Sequence, residues 1–170
     1  MKHLYILRHA KSSWAQPGLS DIERPLNKRG GRQVTRLEKW LIDQNLVPEM
    51  ILCSPSTRTQ ETYRGIKGAW DEVPLEIVQK LYHGRMEDYL EALWTQDADK
   101  IMIIGHNPTC DELARYLTKP SSPAAEKLMA HHFGTATMAI FSFDLDNWSE
   151  IGQASGNLEL MLRPRDIDGS

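Results

Sequence analysis

The sequence predicts a three-layer α/β/α fold, with a mostly parallel sheet between helices and an antiparallel hairpin near the C-terminus. Three observations lead there. Short apolar runs at 3–8, 50–53, 75–79 and 101–104 have the length of strands, and the run IMII at 101–104 is continuous enough for a strand buried on both faces. Segments with helical apolar spacing lie between those runs, so strand and helix alternate through residue 118. Beyond that point strand-like segments dominate, which adds antiparallel character at one end.

Each element has its own signal. HLYILR at 3–8 opens the chain as a buried strand, and Pro17, Gly18 and Pro25 break the loop after it. Asn27 reads as a helix N-cap, because Val34, Leu37, Trp40 and Leu41 then recur on one helical face until about Asn45. Pro48 leads into the strand MILC at 50–53. In SPSTRTQET at 54–62 a loop turns into a helix, with Ser56 or Thr57 as cap and Gly65 and Gly68 marking its decay. LEIVQ at 75–79 alternates as a strand does, and Met86, Tyr89, Leu90, Leu93 and Trp94 form the next helical stripe. A short helix carrying Cys110, Leu113, Ala114 and Leu117 follows GHNP. The stretch 119–127 reads as a Pro/Ser-rich loop, and 135–143 as a strand. A partner strand at 148–154 completes the expected hairpin, and 158–162 is a further strand candidate.

At 170 residues the chain is one domain, expected to span 1–162 with a flexible tail over 163–170. A net charge of −3 argues against a nucleic-acid partner bound by bulk positive charge, and leaves room for a locally positive pocket. Cys53 and Cys110 form no CxxC pair and read as reduced, packed thiols. His131-His132 lacks further ligands at zinc spacing, so no metal and no cofactor is expected. MKHLYILRHAK is interrupted by charge, and no stretch reaches the roughly 20 apolar residues of a membrane span. The default expectation is a cytoplasmic protein without a membrane partner.

In open α/β sheets ligands bind beyond the carboxyl ends of the strands. Arg8-His9, the Ser54–Thr59 loop, Tyr82-His83 and Gly105-His106-Asn107 all fall at such ends. The fold reading therefore brings Arg8, His9, Arg58 and His106 toward one pocket. Two arginine forks and two imidazoles suit a tetrahedral dianion, because arginine donors match phosphate oxygens and fixed donors stabilise developing charge. Taken singly, each of these residues is a packed histidine or an ion-pair partner. His3, His83, His131 and His132 are left in that ordinary role.

LRHAKSSW at 7–14, SPSTRTQET at 54–62 and GHNP at 105–108, in that order, resemble the histidine phosphatase superfamily with its phosphoglycerate mutase-like fold. Asp21, Arg24-Pro25-Leu26-Asn27 and Gly30 are similar to the SixA-type phosphohistidine phosphatases within it. The likeness covers the chain to about residue 118. It implies that His9 is the nucleophile and that Arg8, Arg58 and His106 complete the phosphate pocket. It further implies substrate contacts at Ser12, Ser13 and Asn107. Ala10 stands where glycine is commonest in the superfamily, which requires a negative φ there.

One departure bears on the substrate. Many superfamily members carry an acidic residue after the third strand, and here that segment reads KLYHGR. A poor alkoxide leaving group needs a proton in the transition state, whereas a phosphoramidate leaves as neutral imidazole once its nitrogen is protonated and depends less on an enzyme acid. The resemblance and the missing acid together imply a metal-independent phosphatase for phosphohistidine in proteins. Glu87 or His83 is the remaining acid candidate. The alternatives are a phosphatase for small phosphomonoesters or other phosphorylated metabolites, a mutase, and a phosphate-binding module without turnover.

Overall fold

The first apolar run lies at the middle of the sheet in the computed structural model, which describes residues 1–168. This strand, β1 (Lys2–Arg8), pairs in parallel with β4 (Lys100–Gly105) on one side and antiparallel with β5 (Met138–Phe143) on the other. Beyond β4 lie β2 (Met50–Cys53) and then β3 (Leu75–Ile77), both parallel. Beyond β5 lies β6 (Asn157–Leu162), antiparallel to it. Across the sheet the order is β3-β2-β4-β1-β5-β6.

Alternation along the strands sorts their side chains into two cores. Leu4, Ile6, Ile101 and Ile103 face α3 (Met86–Trp94) and α4 (Thr109–Leu117) through Leu90, Leu93, Leu113 and Leu117. Tyr5, Leu7, Met102 and Ile104 face α1 (Lys28–Asp43) and α2 (Thr57–Ile66) through Val34, Leu37, Leu41 and Ile66. The sheet is thus covered on both faces, as the near-continuous apolar runs require. The expected caps are in place: the Asn27 side chain accepts from Gly30 N at 2.9 Å, and Ser56 Oγ accepts from Thr59 N at 3.2 Å.

Gly30 serves the site through packing. It faces the Lys11 backbone so closely that a Cβ there would overlap the Lys11 carbonyl oxygen. Gly30→Ala is expected to destabilise the protein by about 1–3 kcal/mol, because helix or loop must shift. Urea unfolding reads that loss; unchanged stability would show that the helix has room to move.

The C-terminal third differs from the sequence expectation in several places. The partner of β5 is 157–162, and 148–154 forms no strand. Trp148 is the physical reason: it is 1% exposed, its indole N–H donates to Ala98 O at 2.7 Å, and the chain around it closes into a 3₁₀ turn. Within the stretch expected as a loop, the helix α5 (Ala125–Ala130) starts, burying Ala125 and Leu128. β3 ends at Ile77 because Gln79–Leu81 turns to bury Leu81. The expected tail is helical over α6 (Pro164–Asp168), where Ile167 packs against the α1 side of the core and Asp166 pairs with Lys127 and Arg163. The end of that expected tail, at 169–170, lies outside the described residues. Among the described residues no helix is long and apolar enough to cross a membrane.

Candidate functional site

Parallel pairing of β1, β4 and β2 sets their carboxyl ends side by side: Arg8 lies opposite Gly105, and Cys53 opposite Ile104. The residues just past those ends must then be neighbours. His9 N donates to Gly105 O at 3.1 Å, and Ser54 N to Ile104 O at 3.1 Å. Arg8, His9, Arg58, His106, Ser12 and Asn107 line one cavity of about 640 Å³ at this edge. Ser13 is not among the lining residues; its hydroxyl accepts from Ala15 N, and its carbonyl from Arg24.

His9 is 6% exposed, and its Nδ1 lies 2.7 Å from Ala10 O. A carbonyl can only accept, so Nδ1 carries the proton and the neutral ring keeps its lone pair on Nε2. Burial pushes the His9 pKa down to about 4; the Ala10 carbonyl opposes this, and Arg58, Arg8 and Arg24 reinforce it. At neutral pH His9 is therefore an uncharged base with a free Nε2. Ala10 is not among the positive-φ residues, and its N–H donates to Thr62 Oγ1 at 3.0 Å. The alanine is accommodated without strain.

The arginines are arranged by one carboxylate that the sequence reading did not place in the site. Asp21 lines the cavity and accepts from Arg58 Nη2 and Arg24 Nε, each at 3.1 Å, and from the Tyr82 hydroxyl at 2.7 Å. Its backbone carbonyl takes Arg58 Nη1 at 2.8 Å. The Tyr82 hydroxyl and the two guanidinium groups hold the Asp21 carboxyl well below the usual carboxylate range. Arg24 adds a third guanidinium to the wall and donates to Ser12 Oγ at 2.9 Å. Arg8 Nη1 and Asn107 Nδ2 both donate to Phe133 O, at 3.2 and 2.8 Å, so the segment after α5 sets the back of the cavity. The Nε atoms of Arg8 and Arg58 are buried and have no acceptor among the described residues. Converging guanidinium groups, with donors left over, oppose folding and favour an anion.

The His106 ring centroid lies 5.3 Å from that of His9, and its Nε2 is 2.8 Å from Ser54 Oγ. Its backbone N–H donates to the Tyr89 hydroxyl at 3.0 Å, which in turn donates to Leu81 O at 3.1 Å; a buried tyrosine thus ties the end of β4 to the loop after β3. Burial, then His9 and Arg58, lower the His106 pKa to about 3. His106 is accordingly neutral at neutral pH, and the site's positive charge comes from the arginines and Lys11 that line it. A dianion in the cavity is an opposite charge that raises the His106 pKa, so its role as a charged donor is coupled to binding.

Two carboxylates line the cavity among the described residues, Asp21 and Glu112. Asp21 is held ionised and has no proton to give. Glu112 stands exposed in the first turn of α4, and the sequence reading did not single it out. Of the acid candidates after the third strand, His83 lines the cavity, with its ring 4.0 Å from that of Tyr82, and Glu87 does not.

The lowered histidines make stability depend on pH. Their folded pKa values lie below the unfolded value of about 6.5, so the unfolded chain takes up protons first as pH falls. Their contribution is complete above pH ~6.5 and is lost between there and about 4 for His9 and about 3 for His106. For His9 alone the loss is on the order of 3 kcal/mol. Urea midpoints should fall steadily from pH 7 to pH 4. Midpoints that stay flat over that range would mean that the two rings are solvated.

Comparison with known proteins gives a consistent set of likenesses. A family model of the histidine phosphatase superfamily (branch 1) matches residues 4–83. An uncharacterized chloroplastic protein of Arabidopsis thaliana is 30% identical over 91% of this chain and 72% of its own length. Phosphohistidine phosphatase SixA of Escherichia coli (strain K12) is 26% identical over 71% of this chain and 76% of its own. Among solved structures, a candidate phosphohistidine phosphatase SixA from Agrobacterium tumefaciens superposes with a TM-score of 0.81 at 25% identity, over 96% of this chain and 98% of the other.

Proposed function

The chain belongs to the histidine phosphatase superfamily, and we propose that it hydrolyses phosphohistidine in proteins through a covalent intermediate on His9. It is a phosphatase with the α/β fold of the SixA and phosphoglycerate mutase-like structures. The observation that carries the proposal is the His9 Nδ1 hydrogen bond to Ala10 O, which leaves a neutral Nε2 beside the guanidinium groups of Arg8 and Arg58.

The reaction has two in-line steps. The Nε2 lone pair attacks phosphorus; the Nε2–P bond forms as the bond to the leaving nitrogen breaks, and the leaving imidazole departs neutral because the other nitrogen of the substrate ring already carries a proton. Arg8, Arg58 and Arg24 balance the charge on the equatorial oxygens, and His106 joins them once the dianion is bound. Water then attacks phospho-His9, releasing orthophosphate and a proton and restoring neutral His9. Throughout, Ala10 O keeps Nδ1 protonated and the ring oriented. We assign Ser12 and Asn107 to the wall around the phosphoryl group, Ser12 through Arg24, which donates to its hydroxyl, and Asn107 through its bond to Phe133 O.

The substrate class rests on the missing acid. Phosphohistidine needs little proton transfer from the enzyme, which fits a loop after β3 that offers His83 and no carboxylate. The E. coli relative SixA, a phosphohistidine phosphatase, points the same way. Glu112 favours a second reading, hydrolysis of small phosphomonoesters with that carboxyl as acid. A phosphohistidine peptide and a sugar phosphate, each assayed with the parent and with Glu112→Gln, decide between them. We expect the peptide to be the faster substrate and to be insensitive to E112Q within about twofold. A faster sugar phosphate whose turnover drops about tenfold or more in E112Q would reverse the assignment. We place the reaction in the cytoplasm, where buried free thiols such as Cys53 and Cys110 stay reduced.

A further inference from the structure

We propose that the basic outer face of α1, with Trp14 at the cavity mouth, is a docking surface for the phosphorylated protein, whose phosphohistidine is flanked by acidic residues. This rests on the phosphohistidine reading and names the chemistry of the partner.

The charge distribution is the first observation. The whole chain carries −3, yet no Asp or Glu occurs between Arg24 and Leu37, while Lys28, Arg29, Arg32 and Arg36 all fall on α1. Lys28, Arg29 and Arg32 are exposed. Farther along the helix Lys39 pairs with Asp43, and those three have no such partner among the described residues. The arrangement works against the helix. The first turn holds no acidic residue, so cations sit at the positive end of the helix dipole, and Lys28 and Arg32 repel each other at i,i+4. Folding does not account for this pattern, and an acidic partner does.

Continuity with the cavity is the second observation. Asn27, next to Lys28, donates from its backbone to Lys11 O at 3.0 Å and from Nδ2 to Ser12 O at 3.4 Å, and both Lys11 and Ser12 line the cavity. The first turn of α1 is therefore joined to the cavity wall. At the same mouth Trp14 is 76% exposed, with the Arg24 guanidinium 3.5 Å from its ring centroid. An exposed aromatic already stacked on a buried arginine loses little freedom when a partner covers it, as interface anchors require. A small phosphorylated metabolite would fill the cavity and have no use for cations along the outside of α1.

Kinetics with synthetic phosphohistidine peptides test the proposal, one with Asp/Glu flanks and one with those acids replaced by Gln, alongside free phosphoramidate. At low salt the acidic peptide should show a kcat/KM about tenfold above its neutral counterpart, the gap closing in 0.5 M NaCl, roughly 4 Å in Debye length. The triple variant K28Q/R29Q/R32Q should lose that advantage and keep phosphoramidate hydrolysis within about twofold. Trp14→Ala should raise KM for both peptides about three- to tenfold. Equal kcat/KM for the two peptides, or a triple variant that still prefers the acidic one, overturns the docking surface and leaves the phosphohistidine reading standing. Hydrolysis of phosphoramidate with neither peptide cleaved overturns both.

Discussion

Replacing His9 by alanine should lower turnover of a phosphohistidine peptide by about 10³-fold or more and abolish the phosphoenzyme with it. A nucleophile that forms the covalent intermediate cannot be bypassed without a different reaction, and losses of several orders of magnitude are usual for such groups. The substitution is mild for the fold. The His9 side chain makes one hydrogen bond, to Ala10 O, and the backbone bonds of His9 to Gly105 O and from Ala136 N are retained. Its neutralised, buried ring costs stability in acid, so the alanine variant should also unfold less readily below pH 6 than the parent. Circular dichroism and peptide turnover check both halves. A folded His9→Ala protein with a tenth of parental activity would mean that water attacks the substrate directly.

The second large effect is at Arg58. Arg58→Ala should reduce kcat/KM by about 10²–10³-fold, because it removes a guanidinium aimed at the charge that develops in transfer. It also releases Asp21, which binds Arg58 through both its carboxylate and its carbonyl. Arg58→Lys should recover little, since a point charge does not reproduce the fork that spans Asp21 and an anion. Steady-state kinetics on the three proteins read this directly. Full recovery with lysine would show that charge alone suffices, and that the orientation imposed by Asp21 is dispensable.

Much of this site was legible from local pattern. Arg8-His9 and Gly105-His106 follow apolar runs that could only be buried strands, and a parallel sheet brings such ends together whatever lies between them. Arg58 follows a Ser-Pro turn and a capped helix start, both visible in sequence. Asp21 was harder to read. It lies in a loop with no periodicity, and its role comes from three partners, two of them more than thirty residues away. Glu112 reached the cavity unannounced because a helix residue's exposure does not say what it faces. The charge state of His106 was also beyond sequence, since it depends on burial and on His9 and Arg58 nearby.

The same limit explains the C-terminal strands. Both 148–154 and 158–162 carry apolar residues, and local pattern chose 148–154 as the partner of β5, where the structure has 157–162. Trp148 settles the matter by burying its ring against Phe143 and donating to Ala98 O, which takes its segment out of the sheet. Strand pairing is decided by such long-range packing, and hydrophobic alternation supplies only candidates. The helix α6 was missed for a related reason. Its five residues are too few to form a helix alone, and it persists by docking Ile167 on the α1 side and pairing Asp166 with Lys127.

The central claim is that the phosphoryl group passes through His9. Rapid mixing with a phosphohistidine peptide, an alkaline quench within a single turnover and mass-spectrometric mapping test it most directly. The account predicts one phosphoryl group, on the His9 ring, acid-labile and alkali-stable, forming and decaying at least as fast as turnover. Phosphate on another side chain, or full turnover with His9 never labelled, would contradict it.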